Sequence, residues 1–258
     1  MQALTLPARR GWRWLTEGFR IFRKKPVLLS FLVSAYWVLM LVVSSVPFAG
    51  QVVATLLIPM FSVSLMNACR LIEQEGTLPP LLLFSGFDRN PRVLLLLGVI
   101  YLACTLGILG ATVLVDDGVL FHLLVLGQMP DAQAQASNEF RIAVQLALAL
   151  FVPLVMANWY APVLVAWHDL PVGKSLFFSF IACLRNWRVF LAYAATTFVF
   201  GAFLPGLALG LMGAMFADAG EEFVVVLTFF SVLILLPTLY SSFYVSYRDV
   251  FVIIDEDA

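Results

Sequence analysis

Long runs of apolar residues, separated by short polar segments, make up most of the chain. Six runs are long enough to cross the roughly 30 Å hydrocarbon core of a bilayer, which takes about 20 apolar residues in a helix. Because a backbone exposed to lipid must satisfy its own hydrogen bonds, each run is predicted to be an α-helix. The predicted spans are Val27–Val46, Val52–Cys69, Val93–Val115, Ile142–Trp167, Val189–Phe216 and Phe223–Tyr247.

The polar segments between the spans predict several shorter helices. The first 25 residues indicate a basic amphipathic helix lying in the membrane interface. Its apolar positions recur at helical spacing at Trp12, Leu15, Phe19 and Phe22. Pro79–Phe87 and Pro171–Leu184 predict two more interfacial helices, since proline is tolerated in the first helical turn. Between the third and fourth spans we expect a short helix over Val119–Leu126 and a flexible stretch over Gln128–Asn138.

Composition supports a membrane location for the whole chain. Hydrophobic residues make up 62% of the 258 and charged residues 12%, whereas soluble domains hold about 25% charged and 45–50% apolar residues. The excess apolar surface does not fit inside one core, so lipid must cover it. Residues 1–258 are therefore predicted to form a single, all-α membrane domain, a polytopic bundle of six transmembrane helices.

The basic residues predict the orientation of the bundle. With a cytoplasmic N-terminus, all but one of the 15 basic residues fall on the cytoplasmic side, and Arg141 is the exception. Loops rich in Lys and Arg stay in the cytoplasm. We therefore expect a multi-pass protein of the bacterial cytoplasmic (inner) membrane with both termini cytoplasmic.

Three similar segments occur where a basic cluster meets an outgoing span. They are Arg23-Lys24-Lys25-Pro26-Val27, Arg89-Asn90-Pro91-Arg92-Val93 and Arg185-Asn186-Trp187-Arg188-Val189. The predicted repeat units are approximately 1–78, 79–170 and 171–258, each with an interfacial helix, an outgoing span and a return span. Two spans in each unit imply parallel copies about an axis along the membrane normal.

The basic clusters and the in-span prolines are the candidate functional residues. The clusters lie where lipid head groups lie, and each basic residue there contributes on the order of 1 kcal/mol near an anionic leaflet. The alternative is that they only anchor the topology. The candidate head-group contacts are Arg23, Lys24, Arg89, Arg92, Arg185 and Arg188, and the predicted helix kinks are Pro59, Pro153 and Pro237. Kinks at matching repeat positions point to transporter sites, although prolines are common in membrane helices.

Nothing in the sequence predicts catalysis. Ionisable groups at membrane depth mark ion paths and substrate sites, and the predicted spans carry no charged residue near their middle. His122 and His168 stand apart, and the three cysteines form no CxxC pair, so we expect no catalytic residue, no cofactor and no metal. Neutral polar residues within spans mediate contacts between helices more often than chemistry.

Several segments resemble an uncharacterised proteobacterial inner-membrane protein family of unknown function. They are Gly11-Trp12-Arg13-Trp14 with Phe22-Arg23-Lys24, Met66-Asn67-Ala68-Cys69-Arg70, and Asn158-Trp159-Tyr160-Ala161-Pro162 leading to Arg185-Asn186-Trp187-Arg188. More loosely, the pattern of interfacial helix and hairpin is similar to the membrane domain of some glycerophosphodiester phosphodiesterases. The resemblance implies a location and an architecture, and it implies no reaction.

These observations lead to one hypothesis and one alternative. The hypothesis is a non-enzymatic inner-membrane protein with a lipid-organising or assembly role. The alternative is a permease or channel for an apolar or zwitterionic small solute. The expected partners are membrane lipids and a membrane-protein partner or a second copy of the chain, with no nucleic acid.

Overall fold

The computed structural model describes residues 2–47, 49–77, 79, 81–215 and 220–252. Two-residue strands at the chain ends, β1 (Gln2–Ala3) and β2 (Phe251–Val252), pair antiparallel. The helices are α1 (Arg10–Lys24), α2 (Pro26–Ser44), α3 (Ala49–Glu73), a 3₁₀ helix (Leu82–Phe87), α4 (Pro91–Asp116), α5 (Val119–Leu126), α6 (Ala132–Ala136), α7 (Asn138–Trp159), α8 (Ala161–His168), α9 (Val172–Arg185), α10 (Trp187–Phe198), a π-helical segment (Val199–Phe203), α11 (Leu204–Met215) and α12 (Gly220–Val250). We call the end of the bundle that carries the β1–β2 pair the terminal face.

Six helical stretches in the described part of the chain are long and apolar enough to cross a membrane. They are Pro26–Ser44, Ala49–Glu73, Pro91–Asp116, Asn138–His168, Trp187–Met212 and Val225–Val250. The predicted all-α bundle of six transmembrane helices is confirmed. The predicted end of the fifth span at Phe216 lies outside the described residues.

The third and fourth spans are joined by more regular structure than the sequence predicted. Asp116 ends α4 by accepting hydrogen bonds from the backbone N–H groups of Gly118, at 3.1 Å, and Leu120, at 2.7 Å. The expected flexible stretch over Gln128–Asn138 contains the short helix α6. Asp131 caps α6 by accepting from the Ala134 N–H at 2.7 Å, which satisfies a backbone donor that helix ends leave free.

The return spans continue as helices through the prolines predicted to kink them. Pro59, Pro153 and Pro237 lie inside α3, α7 and α12. The interruptions occur next to two other prolines. The fourth span breaks at Tyr160, just before Pro162 in the first turn of α8, and the π-helical segment immediately precedes the turn that contains Pro205. Each of these prolines lacks the N–H that would continue the preceding turn.

Helix α1 packs into the bundle, whereas the sequence predicted a helix lying on the membrane surface. A Cβ added at Gly11 would lie 2.6 Å from the Tyr193 backbone nitrogen, and one at Gly18 would lie 2.5 Å from that of Ser242. The backbone of α1 therefore touches α10 and α12 directly. Trp12 and Phe19 remain exposed, so the predicted apolar face is partly wrong. The buried stripe is Gly11, Trp14, Leu15, Gly18, Ile21 and Phe22.

Each interfacial element packs on the return span of a hairpin other than the one that it begins. The 3₁₀ helix packs on α3, α9 packs on α7 and α8, and α1 packs on α12. Small residues allow two of these contacts, because Gly86 meets Ser64 of α3 and Gly18 meets Ser242 of α12. The Ser64 hydroxyl accepts from the Gly86 N–H at 2.9 Å. The threefold repeat itself stays a prediction.

Candidate functional site

Asp249 is the centre of a polar network at the terminal face. Its Oδ2 accepts hydrogen bonds from the Arg10 guanidinium, with Nε at 2.9 Å, and from the Trp14 indole Nε1 at 2.9 Å. The Asp249 side chain is only 8% exposed. A buried carboxylate requires such partners, because an unpaired charge away from water is costly. The network fastens α1 to the end of α12.

Arg248 extends this network to α3. Its guanidinium pairs with Glu17 of α1, at 2.5 Å, and with Glu73 at the end of α3. The Tyr244 hydroxyl donates to the other Glu73 carboxylate oxygen at 2.7 Å. Two arginines, Arg10 and Arg248, thereby neutralise most of the charge of three acidic residues within the protein.

The six predicted head-group residues are all exposed, and each pair of them begins a different hairpin. We call them the basic rim: Arg23, Lys24, Arg89, Arg92, Arg185 and Arg188. The structure distributes the rim around the terminal face and does not gather it into one site. Lys24 lies 3.7 Å from Glu75 and also donates to the Glu73 carbonyl. The other five form no ion pair with any described residue.

A polar pocket of about 340 Å³ opens beside Arg89 at the terminal face. Its wall is a chain of hydrogen bonds in which Trp167 Nε1 donates to Asn67 Oδ1 at 2.8 Å, and Asn67 Nδ2 donates to the Ser85 hydroxyl at 3.0 Å. The Arg70 guanidinium lies 4.9 Å from the centroid of the Trp167 ring. The pocket thus presents two guanidinium groups and one carboxylate, that of Asp88. The sequence predicted no site at Arg70, although Asn67 and Arg70 stand one helical turn apart.

Asn186 ties the N-terminal segment to the third basic cluster. Its Oδ1 accepts from the Leu6 N–H at 2.9 Å, and its Nδ2 donates to the Leu4 carbonyl at 2.8 Å and to the Ala182 carbonyl at 2.9 Å. Asn90, at the matching position of the second cluster, donates to Asp169 at 2.6 Å. These asparagines have structural roles, which leave the adjacent arginines free to face outward.

A central cavity of about 540 Å³ lies between the spans. Pro59 and Pro162 line it, whereas Pro153 and Pro237 do not. The described lining residues include no Asp, Glu, Lys, Arg or His, and its polar groups are hydroxyls, an amide and the indole of Trp159. The Trp159 Nε1 is buried and has no hydrogen-bond partner among the residues that the structure describes. The cavity therefore suits an uncharged guest.

A large apolar groove between α7 and α10, of about 920 Å³, adjoins this cavity. Four residues line both spaces: Val155, Trp159, Tyr193 and Thr197. The π-helical segment contributes Gly201 and Ala202 to the groove wall. Because α7 and α10 belong to transmembrane spans, the groove opens sideways toward the membrane interior.

The fold and these spaces define a polytopic α-helical membrane protein. The chain is 35% identical over 259 residues to a protein of Burkholderia thailandensis described as a probable inner membrane protein, with 97% of this chain and 94% of that relative covered. The chain belongs to the family of this inner-membrane protein. No family model matches the chain, and no solved structure matches it.

This relationship confirms the predicted resemblance to an uncharacterised inner-membrane protein family, and with it the inner-membrane location. It does not test the looser resemblance to the membrane domain of glycerophosphodiester phosphodiesterases. That resemblance and the cytoplasmic placement of both termini stay predictions.

Proposed function

We propose that this inner-membrane protein is a non-enzymatic, lipid-organising protein that binds anionic head groups at its terminal face, with both termini in the cytoplasm. The proposal depends mainly on one observation, which is how the charged residues of the terminal face are paired. Glu17, Glu73 and Asp249 are engaged by arginines inside the protein, whereas five arginines of the basic rim form no ion pair with any described residue. Among the described residues of this face, exposed basic side chains therefore outnumber the exposed acids Glu75, Asp88 and Asp169.

Phosphate-bearing head groups are the chemistry that this surface fits. A guanidinium group binds phosphate through two parallel hydrogen bonds, and each basic residue near an anionic leaflet contributes about 1 kcal/mol. The polar pocket adds Arg70 beside Arg89, with Asn67 and Ser85 on its wall. Exposed arginines act weakly alone, so we expect the rim to bind several lipids at once.

Thermal unfolding in the presence of added lipid tests the proposal. A ligand that binds only the folded state stabilises it, by about 2.7 kcal/mol at 100 times its Kd. Phosphatidylglycerol added to the detergent-solubilised protein should raise its Tm more than phosphatidylcholine does. The combined variant Arg89→Gln, Arg92→Gln, Arg185→Gln and Arg188→Gln should lose that difference.

Arg141→Gln is the control, because Arg141 lies at the start of α7, away from the terminal face, where it contacts Asn138. It should keep the full response to phosphatidylglycerol. If the four-residue variant responds as the natural protein does, the rim only sets topology and the proposal fails.

The central cavity supports a second candidate function, a permease for an apolar or zwitterionic solute. Pro59 and Pro162 line this uncharged cavity, and a proline weakens helical hydrogen bonding around it. Replacing Pro59 and Pro162 together by alanine should then change the flux of such a solute into proteoliposomes. Unchanged flux in a folded variant would exclude this route.

A further inference from the structure

We propose that the polar pocket beside Arg89 binds a phosphoethanolamine group, the head group of a zwitterionic phospholipid. The phosphate of this group is bound by the guanidinium groups of Arg70 and Arg89, and its ammonium group is bound by the Asp88 carboxylate. The inference rests on the proposed binding of head groups at the terminal face, and it deepens that proposal by assigning one head group to one pocket.

Three elements build the pocket, namely the end of α3, the 3₁₀ helix with the turn after it, and the end of α8. Hydrogen bonds fix the second element to the other two, because the Gly86 N–H donates to Ser64 Oγ of α3 at 2.9 Å and Asn90 Nδ2 donates to the Val165 carbonyl of α8 at 3.3 Å. A site that is already ordered loses less conformational entropy on binding. The polar and aromatic residues that line it are Asn67, Arg70, Ser85, Asp88, Arg89 and Trp167.

The arginines and a serine of this lining are available to a phosphate. Neither Arg70 nor Arg89 forms an ion pair with any acid that the structure describes, and a guanidinium group matches the geometry of phosphate. The Ser85 hydroxyl accepts from Asn67 Nδ2 at 3.0 Å, so its own proton is available as a further donor.

Asp88 determines that the head group also carries a positive charge. Its exposed carboxylate lines the same pocket and has no ion-pair partner within the described part of the chain. A phosphate without a cation would be repelled by this carboxylate, whereas a primary ammonium group can donate hydrogen bonds to it. In phosphoethanolamine a short ethylene link joins the two charged groups, and the volume of about 340 Å³ lies within the usual range for small-ligand sites.

The lining favours a primary ammonium group over the quaternary one of choline. A quaternary ammonium has no N–H to donate to Asp88, and proteins recognise it through aromatic faces. Among the described lining residues the one aromatic ring is that of Trp167, and the Arg70 guanidinium already lies 4.9 Å from its centroid.

The depth of the pocket favours a lipid as the source of the phosphoethanolamine group. Arg70 lies in the last turn of α3 and Arg89 lies just before α4. Both helices are membrane spans, so the pocket opens where a span meets the lipid head groups. A soluble phosphoethanolamine ester has the same charged groups, and the experiment therefore includes one.

Native mass spectrometry of the detergent-solubilised protein, titrated with dioleoyl lipids, tests the inference. The background is Arg92→Gln, Arg185→Gln and Arg188→Gln, which removes rim arginines that do not line the pocket. We expect one phosphatidylethanolamine per chain to bind about two- to fivefold more tightly than phosphatidylcholine, because an ion pair at an exposed carboxylate contributes modestly.

Asp88→Asn should change the affinities for two lipids in opposite directions. It removes an attraction for phosphatidylethanolamine and a repulsion for phosphatidylglycerol, so the first should bind more weakly and the second more tightly. Glu75→Gln is the matched control, since Glu75 is an exposed acid of the terminal face outside the pocket, and it should change neither affinity.

Arg70→Gln should raise the Kd for phosphatidylethanolamine about fivefold, whereas Arg13→Gln, at an exposed arginine of α1 outside the pocket, should leave it unchanged. Glycerophosphoethanolamine should compete more weakly than the lipid, and equal competition would assign the pocket to the soluble ester. Equal Kd values for phosphatidylethanolamine and phosphatidylcholine, or binding unaffected by both Asp88→Asn and Arg70→Gln, would overturn the inference.

Failure of this inference is distinguishable from failure of the proposed function. Arg70 and Asp88 are not part of the basic rim, so their variants test the pocket whatever the rim variant shows. An unchanged response of the rim variant to phosphatidylglycerol would contradict only the proposed function.

Discussion

The half of the bundle near the terminal face and the half away from it are held together differently. Near the terminal face, Gly18 and Gly86 bring backbones into direct contact, and Asp249 joins α1 to α12 through hydrogen bonds. In the other half, Gly107 and Gly210 have no neighbouring atom within 4 Å of an added Cβ. The half away from the terminal face is packed only locally, where Gly50 meets Val43 and around Leu120 and Ala143, and its fifth span leaves most of its surface to lipid.

This difference follows from how helices associate in a membrane. Lipid tails are as apolar as leucine side chains, so helices gain little from hydrophobic burial and rely on close packing and polar contacts. The residues that supply both are concentrated at the terminal face. We therefore expect the stability of the fold to depend on that half.

Asp249→Ala should have the largest effect on stability. It leaves Arg10 without its nearest carboxylate and the Trp14 N–H without an acceptor, and breaking a buried pair costs about 3 kcal/mol. The measurement is thermal unfolding in detergent. Asp88→Ala provides the control, since Asp88 is exposed, and it should change the free energy of unfolding by less than about 0.5 kcal/mol. Equal effects of the two changes would remove the distinction between the halves.

Gly18→Ala and Gly210→Ala compare the two halves by the same chemical change. At Gly18 the new methyl group meets the Ser242 backbone at 2.5 Å, so we expect a loss of about 1–3 kcal/mol from overpacking. At Gly210 the methyl group meets nothing, and alanine is the better helix former by about 1 kcal/mol. Opposite shifts of Tm are expected, and shifts of the same sign would contradict this account of packing.

Asn186→Ala should have a smaller and more local effect. It removes three hydrogen bonds, of which two hold Leu4 and Leu6, and a hydrogen bond contributes about 1 kcal/mol net. Hydrogen–deuterium exchange should become faster in residues 4–6 with little change in α3. Asn138→Ala, at the exposed end of α7, should leave exchange at both sites unaltered.

Cysteine labelling should report orientation with almost no effect on stability. Cys69 and Cys183 are buried, and burial raises the pKa of the Cys183 thiol to about 12. Because the thiolate is the reactive form, Cys183 should resist a maleimide from either side and is a poor probe of topology.

Cysteines introduced at exposed positions should show which side of the membrane each loop lies on. In a background with Cys104→Ala, an impermeant maleimide outside intact cells should label Gln128→Cys between α5 and α6. It should label Thr77→Cys, near the end of α3, only after lysis. The reverse pattern would place the termini outside the cytoplasm.

The sequence was sufficient to predict the spans and the exposure of the basic rim, because both depend on local composition. Runs such as Val93–Val115 are long and apolar, and the arginines beside them gain most from facing outward at the membrane surface. The burial of α1 was not predictable from periodicity, since Gly11 and Gly18 contribute no apolar side chain to the helical pattern. Their importance depends on contacts with Tyr193 and Ser242, which are far away in the chain.

The polar network around Asp249 and the central cavity could not be predicted from the sequence either, because both depend on contacts between residues that are far apart in the chain. Glu17, Glu73 and Asp249 occur as isolated acids in three distant segments, and only the fold joins them through Arg10 and Arg248. The cavity depends on the break in the fourth span at Tyr160, just before Pro162 in the first turn of α8. The Trp159 N–H, which has no partner among the described residues, is visible only once its neighbours Phe190 and Phe243 are in place.

Native mass spectrometry of the protein released from nanodiscs tests anionic lipid binding at the terminal face most directly. The natural protein, released from a mixture of phosphatidylglycerol and phosphatidylcholine, should retain a small, defined number of phosphatidylglycerol molecules. The variant with Arg89, Arg92, Arg185 and Arg188 replaced by glutamine should retain fewer, and the Arg141→Gln variant should retain the full number. Retention of both lipids in the proportions of the nanodisc, identical for all three proteins, would contradict the account.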